Sequence, residues 1–231
     1  MNQRRTGFTK RFLVLGKNIL CLRWDAHRLD KPICTNLRVR LGIEDHDISR
    51  LSRLVMDLSA DGVARLQRVK LFLCDVDGVL TDGTVVMGTG SSEWKRFDIR
   101  DGFGLRLLQN AGLKVGWVSA RPSAATTERA KDLKVDYLHQ SPALKVQSIE
   151  ELLGQAGLGW DDISYIGDDV IDVGALRRAG FSAAPADARP EAKAAAQYVC
   201  TAAGGRGAVR EVVEMILKTQ NRWDSVIAPF A

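Results

Sequence analysis

Three short apolar runs, at residues 69–74, 115–118 and 163–166, each stop at a cluster of reactive polar residues. This pattern restricts the fold more than any other feature of the chain. Four to six mostly apolar residues between polar flanks read as strands buried on both faces. Helical patterns lie between and after them. Leu105, Leu107, Leu108 and Ala111 precede Gly112, residues 123–133 follow Pro122, and residues 143–153 follow Pro142 and meet Gly154. A further strand is read at 135–138, ahead of Lys145. Strands alternating with helices predict an α/β, doubly wound, Rossmann-like parallel sheet. Two β-prone segments, 84–87 and 93–97, joined by the Gly/Ser/Thr stretch 88–92, interrupt the alternation and predict a projecting β-hairpin.

Charge is uneven along the 231 residues. Residues 1–55 hold 12 Lys+Arg and 5 Asp+Glu, a balance of +7, which leaves 21 and 23 of the chain's 33 and 28 for residues 56–231, a balance of −2. The region after residue 55 is therefore mildly acidic and has no nucleic-acid footprint. The basic segment is acid-poor up to Trp24 but has no Ser before Ser49, unlike a Ser-rich transit peptide. It shows no sustained periodicity, so residues 1–60 are expected to form a poorly structured extension, 61–223 the folded domain and 224–231 a C-terminal tail. No apolar run approaches the ~20 residues of a membrane span. The cysteines (Cys21, Cys34, Cys74, Cys200) lack CxxC spacing, which argues against a zinc site or disulfide framework and for a reducing, cytoplasmic setting. No GxGxxG follows the first strand, so a dinucleotide site is not expected.

Ligands of open α/β sheets bind beyond the carboxyl ends of the strands. There the first run ends in Asp75-Val76-Asp77-Gly78, the next in Ser119-Ala120-Arg121 and the third in Gly167-Asp168-Asp169, with Asp172 close behind, while Lys145 opens a helix. A single strand-end Asp is often a helix cap, and Ser119 and Asp172 fit that role as well. Several such loops at one edge suit phosphoryl transfer. Asp75 and Asp168 offer carboxylate oxygens to Mg²⁺, one aspartate can serve as nucleophile, a carboxylate two residues on can move the proton, and a hydroxyl and an ammonium can hold the phosphoryl oxygens.

These residues resemble the four motifs of the haloacid-dehalogenase superfamily. More closely, residues 66–223 resemble the 3-deoxy-D-manno-octulosonate 8-phosphate (KDO 8-phosphate) phosphatase family, on residues 75–83, the run Arg100-Asp101-Gly102-Phe103-Gly104-Leu105-Arg106, residues 167–172 and the run Gly204-Gly205-Arg206-Gly207-Ala208-Val209-Arg210-Glu211. The resemblance implies Asp75 as nucleophile and metal ligand, Asp77 as general acid/base with its carbonyl on the metal, and Asp168 as the remaining protein ligand. It implies Asp169 and Asp172 in support, and Ser119 and Lys145 on the phosphoryl group. Asp98, Ile99, Arg100, Asp101, Gly102, Arg106, Arg121 and Arg129 would contact the sugar acid or phosphate, partly across subunits. Read without the resemblance, Arg100, Arg106, Arg121 and Arg129 read first as surface charges. Two positions depart from the family pattern: Ser119-Ala120-Arg121 stands for Thr-Gly-Arg, and Asp98 for Asn.

The family resemblance also implies a homotetramer whose hairpins form a central barrel and whose Gly-Gly-Arg-Gly segment reaches a neighbouring site. Spacing bears on this independently. Forty residues separate Gly78 from Ser119 and 25 separate Ser119 from Lys145, too few for an inserted cap domain of ~50 residues beside the elements already read there. The expected function is Mg²⁺-dependent hydrolysis of KDO 8-phosphate through an aspartyl-phosphate, in lipopolysaccharide precursor synthesis. The alternatives are a phosphatase for a nine-carbon sugar acid 9-phosphate and a non-catalytic oligomerisation module.

Overall fold

The computed structural model describes residues 9–15, 18–24 and 60–230. The chain divides into two units, 1–63 and 64–231. In the first, β1 (Thr9–Leu15) and β2 (Asn18–Trp24) pair antiparallel, with Leu15 opposite Asn18. Each strand carries a short run of β-prone apolar residues, 12–15 and 19–22. The remainder of the expected N-terminal extension, to residue 59, lies outside the described residues. Helix α1 (Ala60–Arg68) follows.

The second unit is built on a six-stranded parallel sheet of order β10 (Tyr198–Val199), β9 (Phe181–Ala184), β8 (Ile163–Ile166), β3 (Leu71–Cys74), β6 (Lys114–Ser119) and β7 (Tyr137–Gln140). Its centre is β3 (Leu71–Cys74) between β6 (Lys114–Ser119) and β8 (Ile163–Ile166), the three runs read as buried strands. Each residue of β3 and β8 is fully covered, as are Trp117 and Tyr165, so their side chains leave water on both faces of the sheet. Burial of one such Leu or Ile contributes about 1.5–3 kcal/mol. The helices α2 (Ile99–Asn110), α3 (Ala124–Asp132), α4 (Lys145–Ala156), α5 (Val173–Arg178), α6 (Pro190–Ala195) and α7 (Ala208–Thr219) supply the covering layers. The fold is α/β and doubly wound.

Several boundaries differ from those read in the sequence, each for a local reason. Helix α4 runs through Gly154 and ends at Gly157, whose φ of +66° takes the left-handed conformation that a terminating glycine adopts without strain. The strand expected at 135–138 is β7 (Tyr137–Gln140). The Ala-rich stretch after residue 180 holds β9 (Phe181–Ala184), α6 and β10 (Tyr198–Val199). Alanine has no strong strand propensity, so burial against β8 decides this assignment. The expected tail begins within α8 (Trp223–Ile227) and continues as a 3₁₀ turn (Ala228–Phe230). It is anchored by Phe230, which meets Phe103 edge-on at 5.4 Å, and by Trp223, which lies under Arg210 and Lys218.

Between β3 and β6 the chain contains only the hairpin, β4 (Val86–Met87) with β5 (Glu93–Trp94), and α2. Gly90, at φ +65°, turns the hairpin tip. No inserted domain lies over the carboxyl edge within the 64–231 unit. Val86, Met87 and Trp94 stand more than 60% exposed on the hairpin.

Candidate active site

The Asp75 N–H donates to the Ile166 carbonyl at 3.0 Å, so β3 and β8 stay paired to their last residues and the loops after them leave side by side. Val79, Leu80 and Thr81 all donate to the Val76 carbonyl, which winds residues 76–81 into a tight coil, and the buried Thr81 hydroxyl accepts from Gly78 and Gly83. Gly78 sits at φ +90°, and a Cβ there would come 2.1 Å from Asp168 Oδ2. A glycine is therefore required for this loop to pass the Asp168 carboxylate. A Cβ on Gly204 would lie 1.8 Å from the Gly78 carbonyl, and the Gly205 N–H donates to the Val79 carbonyl at 2.9 Å. The Gly204-Gly205 pair thus backs the Asp77 loop of its own chain.

Four expected residues meet here. Lys145, 3% exposed, places its ammonium 2.7 Å from Asp75 Oδ1 and 3.6 Å from Asp172 Oδ1, and donates to the Val118 carbonyl. Asp75 also accepts from the Val76 N–H at 2.6 Å. Asp172, fully buried, accepts from the N–H groups of Asp168 and Asp169 and from the Tyr165 hydroxyl at 2.5 Å, so it shapes the loop that presents Asp168. Asp169 caps the short turn that follows.

Among the described residues, Asp75, Asp168 and Asp172 each offer a carboxylate oxygen within 4.8 Å of the others. Asp172 is already committed to backbone N–H groups and Tyr165. Asp168 is not: its Oδ1 is buried and accepts no hydrogen bond. Burial, then the charges of Asp75, Asp172 and Asp169, push the Asp168 carboxyl up to about 8. Burial and Asp172 raise Asp75 to about 6 against the opposing pull of Lys145. Crowded, desolvated carboxylates with an orphaned oxygen fit a hard divalent cation held by Asp75 and Asp168.

Ser119 is buried at the end of β6, where its hydroxyl donates to the Arg121 carbonyl and accepts from the Arg121 N–H. Asp77 lies on the β3 loop, paired with Lys95. The residues expected at the sugar acid are more dispersed. Asp98 caps α2 by accepting from the Arg100 N–H and also pairs with the Arg100 guanidinium at 2.6 Å. Ile99 is 80% exposed. Asp101 is buried and accepts from the N–H groups of Gly207 and Arg210, at the start of α7. Burial outweighs those bonds and raises its carboxyl to about 6. Gly102 lets α2 approach Arg129, whose Nη2 would stand 2.6 Å from a Cβ. Arg106 donates to Gln109 and to the Leu133 carbonyl, Arg121 pairs with Glu93, and Arg129 pairs with Asp132 and lies over Phe97.

Three polar residues beside the site carried no strand-end signal: Tyr165, Glu93 and Lys95. Tyr165 is hidden inside an apolar run, and Glu93 and Lys95 lie on the hairpin. Their one trace in the sequence is the period-2 placement of Glu93, Lys95 and Phe97 on the face opposite Trp94 and Arg96.

Comparison with known proteins agrees with this arrangement. The family of haloacid dehalogenase-like hydrolases matches residues 140–212. The chain is 36% identical over 167 residues to the 3-deoxy-D-manno-octulosonate 8-phosphate phosphatase KdsC of Escherichia coli K12, covering 72% of this chain and 89% of that one. The Yersinia pestis phosphatase is 38% identical over 162 residues, 70% of this chain and 87% of its own. Among solved structures, the Moraxella catarrhalis KDO 8-phosphate phosphatase, in complex with magnesium, phosphate and KDO, superposes with a TM-score of 0.73 at 36% identity, over 75% of this chain and 100% of that one. Motifs, fold and relatives agree, and the chain belongs to the KDO 8-phosphate phosphatase family of haloacid dehalogenase-like hydrolases.

Proposed function

We propose that the protein hydrolyses KDO 8-phosphate to KDO and phosphate, with Mg²⁺ as cofactor, as a step in lipopolysaccharide precursor synthesis. The observation that carries this is the meeting of Asp75, Lys145 and the orphaned Asp168 oxygen at the carboxyl edge, in a chain whose relatives bear that activity. Asp75, Asp168 and the Asp77 carbonyl would hold the cation. When bound, Mg²⁺ offsets the repulsion between the carboxylates and the phosphate dianion.

The Asp75 carboxylate attacks phosphorus as the bond to the sugar's C8 oxygen breaks, which leaves an acyl phosphate on Asp75. Asp77 gives its proton to the departing oxygen. In the second half, Asp77 takes a proton from water, whose oxygen attacks phosphorus and frees the Asp75 carboxylate. The Ser119 hydroxyl and the Lys145 ammonium hold the phosphoryl oxygens throughout, and the Lys145 charge favours the ionised, nucleophilic form of Asp75. Asp98, Ile99, Arg100, Asp101, Gly102, Arg106, Arg121 and Arg129 are the proposed sugar-acid surface, with contributions across subunits. The exposed apolar residues of the hairpin support assembly into a homotetramer. Cys74 and Cys200, buried free thiols, accord with a cytoplasmic setting, and no described helix is long and apolar enough to cross a membrane.

The test is phosphate release from KDO 8-phosphate, from a nine-carbon sugar acid 9-phosphate and from p-nitrophenyl phosphate, with Mg²⁺ and with EDTA. Mg²⁺-dependent turnover with preference for KDO 8-phosphate is expected. Preference for the nine-carbon ester would replace the substrate, and no release from any of them would leave an assembly module.

A further inference from the structure

Lys95 belongs to none of the strand-end motifs, yet its side chain is fully buried at the root of the hairpin. Its ammonium lies 2.9 Å from Asp77 Oδ2 and 2.8 Å from Asp77 Oδ1, 3.1 Å from the Thr126 hydroxyl and 3.6 Å from Glu93 Oε1. A buried ammonium is costly unless its three donors are met, and here acceptors come from three separate elements: the β3 loop, α3 and β5. Glu93, the more distant partner, is itself held by the Arg121 guanidinium and by the Ser123 hydroxyl at 2.8 Å. The root of the hairpin is thereby latched to the loop after β3 through Lys95 and to the loop after β6 through Glu93. Only Oδ2 of Asp77 receives an aligned hydrogen bond, while Oδ1, although close to the ammonium, accepts none.

We propose that Lys95 is a positioning residue for the reaction: its ammonium, within 2.9 Å of both Asp77 oxygens, fixes the Asp77 carboxylate in the orientation its part in the reaction needs. This rests on the phosphatase reading of Asp77 above. It gives the hairpin a second use, since the strand that projects from the domain also delivers the charge that fixes Asp77. Lysine suits the place because one compact ammonium donates to a carboxylate and a hydroxyl at once while a second carboxylate lies 3.6 Å away.

The experiment is a double-mutant cycle on the full chain with Lys95→Met, Asp77→Asn and the pair, assayed with KDO 8-phosphate and Mg²⁺ after circular dichroism has established folding. Loss of positioning lowers kcat ~10²-fold with KM within about twofold, because misplacement by about an ångström acts on the chemical step rather than on uniform binding. In the Asp77→Asn background the same change is expected to add no further loss, since Lys95 acts through Asp77. Lys95→Arg is expected to recover about tenfold over Lys95→Met, as it restores the charge but not the compact geometry. Equal activity of Lys95→Met and wild type in a chain that Asp77→Asn inactivates would overturn the role of Lys95, as would fully additive losses. An inactive wild type, or an Asp77→Asn variant of undiminished activity, would instead overturn the phosphatase reading itself. If Lys95→Met does not fold, Thr126→Val takes its place in the cycle. It removes the hydroxyl acceptor and keeps the charge pair, and a several-fold fall in kcat that disappears beside Asp77→Asn supports the proposal, whereas a fall that persists overturns it.

Discussion

At the sheet edge, Asp75, Lys145 and Asp172 are each less than 5% exposed and satisfy one another across three different loops. On the rim, Arg100, Arg121 and Arg129 each pair with one carboxylate, Asp98, Glu93 or Asp132, and one partner in each pair reaches water. The two regions differ in what a substitution exposes. Removing a partner at the centre strands a buried charge, whereas an exposed ion pair is worth roughly 0–1 kcal/mol and exchanges partners readily. A rim of this kind can release an arginine to an anionic ligand at little cost.

The largest effect expected from this contrast is at Asp75. Asp75→Asn removes the proposed nucleophile and should lower kcat by ~10⁴-fold or more, as other covalent catalysts do when the attacking group is lost. Undiminished phosphate release would break the comparison at its strongest point. Asp77→Asn comes next, at ~10²–10⁴-fold, the usual contribution of a general acid/base. Gly78→Ala should follow, because a side chain at φ +90° is strained by about 1–3 kcal/mol and its Cβ would displace Asp168. A lower thermal midpoint together with weaker Mg²⁺ stabilisation is the expected result, and a fall in midpoint alone would show that Asp168 had not moved.

The rim gives smaller effects, and these separate its members. Arg121→Ala should raise KM for KDO 8-phosphate about tenfold, equivalent to ~1.4 kcal/mol, since Arg121 directly follows the Ser119 loop. Arg106→Ala should cost about 1 kcal/mol of stability through the lost bond to the Leu133 carbonyl and raise KM by less than Arg121→Ala does, since Arg106 is already engaged within its own chain. An unchanged KM for Arg106→Ala would take Arg106 off the proposed substrate surface.

The smallest effect is one of pH on the metal-free chain. Asp75 and Asp168 have folded pKa values of about 6 and about 8, above the ordinary carboxylate range, so the folded state holds protons that the unfolded state has released. Their contribution to stability is fully present below about pH 4 and is lost as pH rises through 6 to 8. Mg²⁺ takes the place of those protons, so the gain in thermal midpoint on adding Mg²⁺ should be larger at pH 8 than at pH 5.5. A gain independent of pH would mean that the cation binds away from Asp75 and Asp168.

The strand-end residues were legible because a parallel sheet brings every strand's carboxyl end to one edge. Reading where the runs 69–74, 115–118 and 163–166 stopped was enough to place Asp75, Ser119 and Asp168 together. Lys145 was legible for the same reason, as the residue opening the helix after β7. Boundaries set by context were less so: Gly154 does not end α4, and β9 and β10 lie in a stretch whose alanines carry little strand signal. Asp101 shows the limit from another side, since nothing near it in sequence announces that it will cap a helix more than a hundred residues away.

The sequence by itself therefore determined the fold class, the edge that holds the site and the residues at its centre, because apolar periodicity and strand-end chemistry are written locally. Only the tertiary structure decided which partner each residue would meet: Lys95 with Asp77, Asp172 with Tyr165, and Gly204 with the Gly78 loop. Those pairings run between different elements, from seven residues apart to more than a hundred, and which donors reach which acceptors depends on how the loops pack once the sheet has formed.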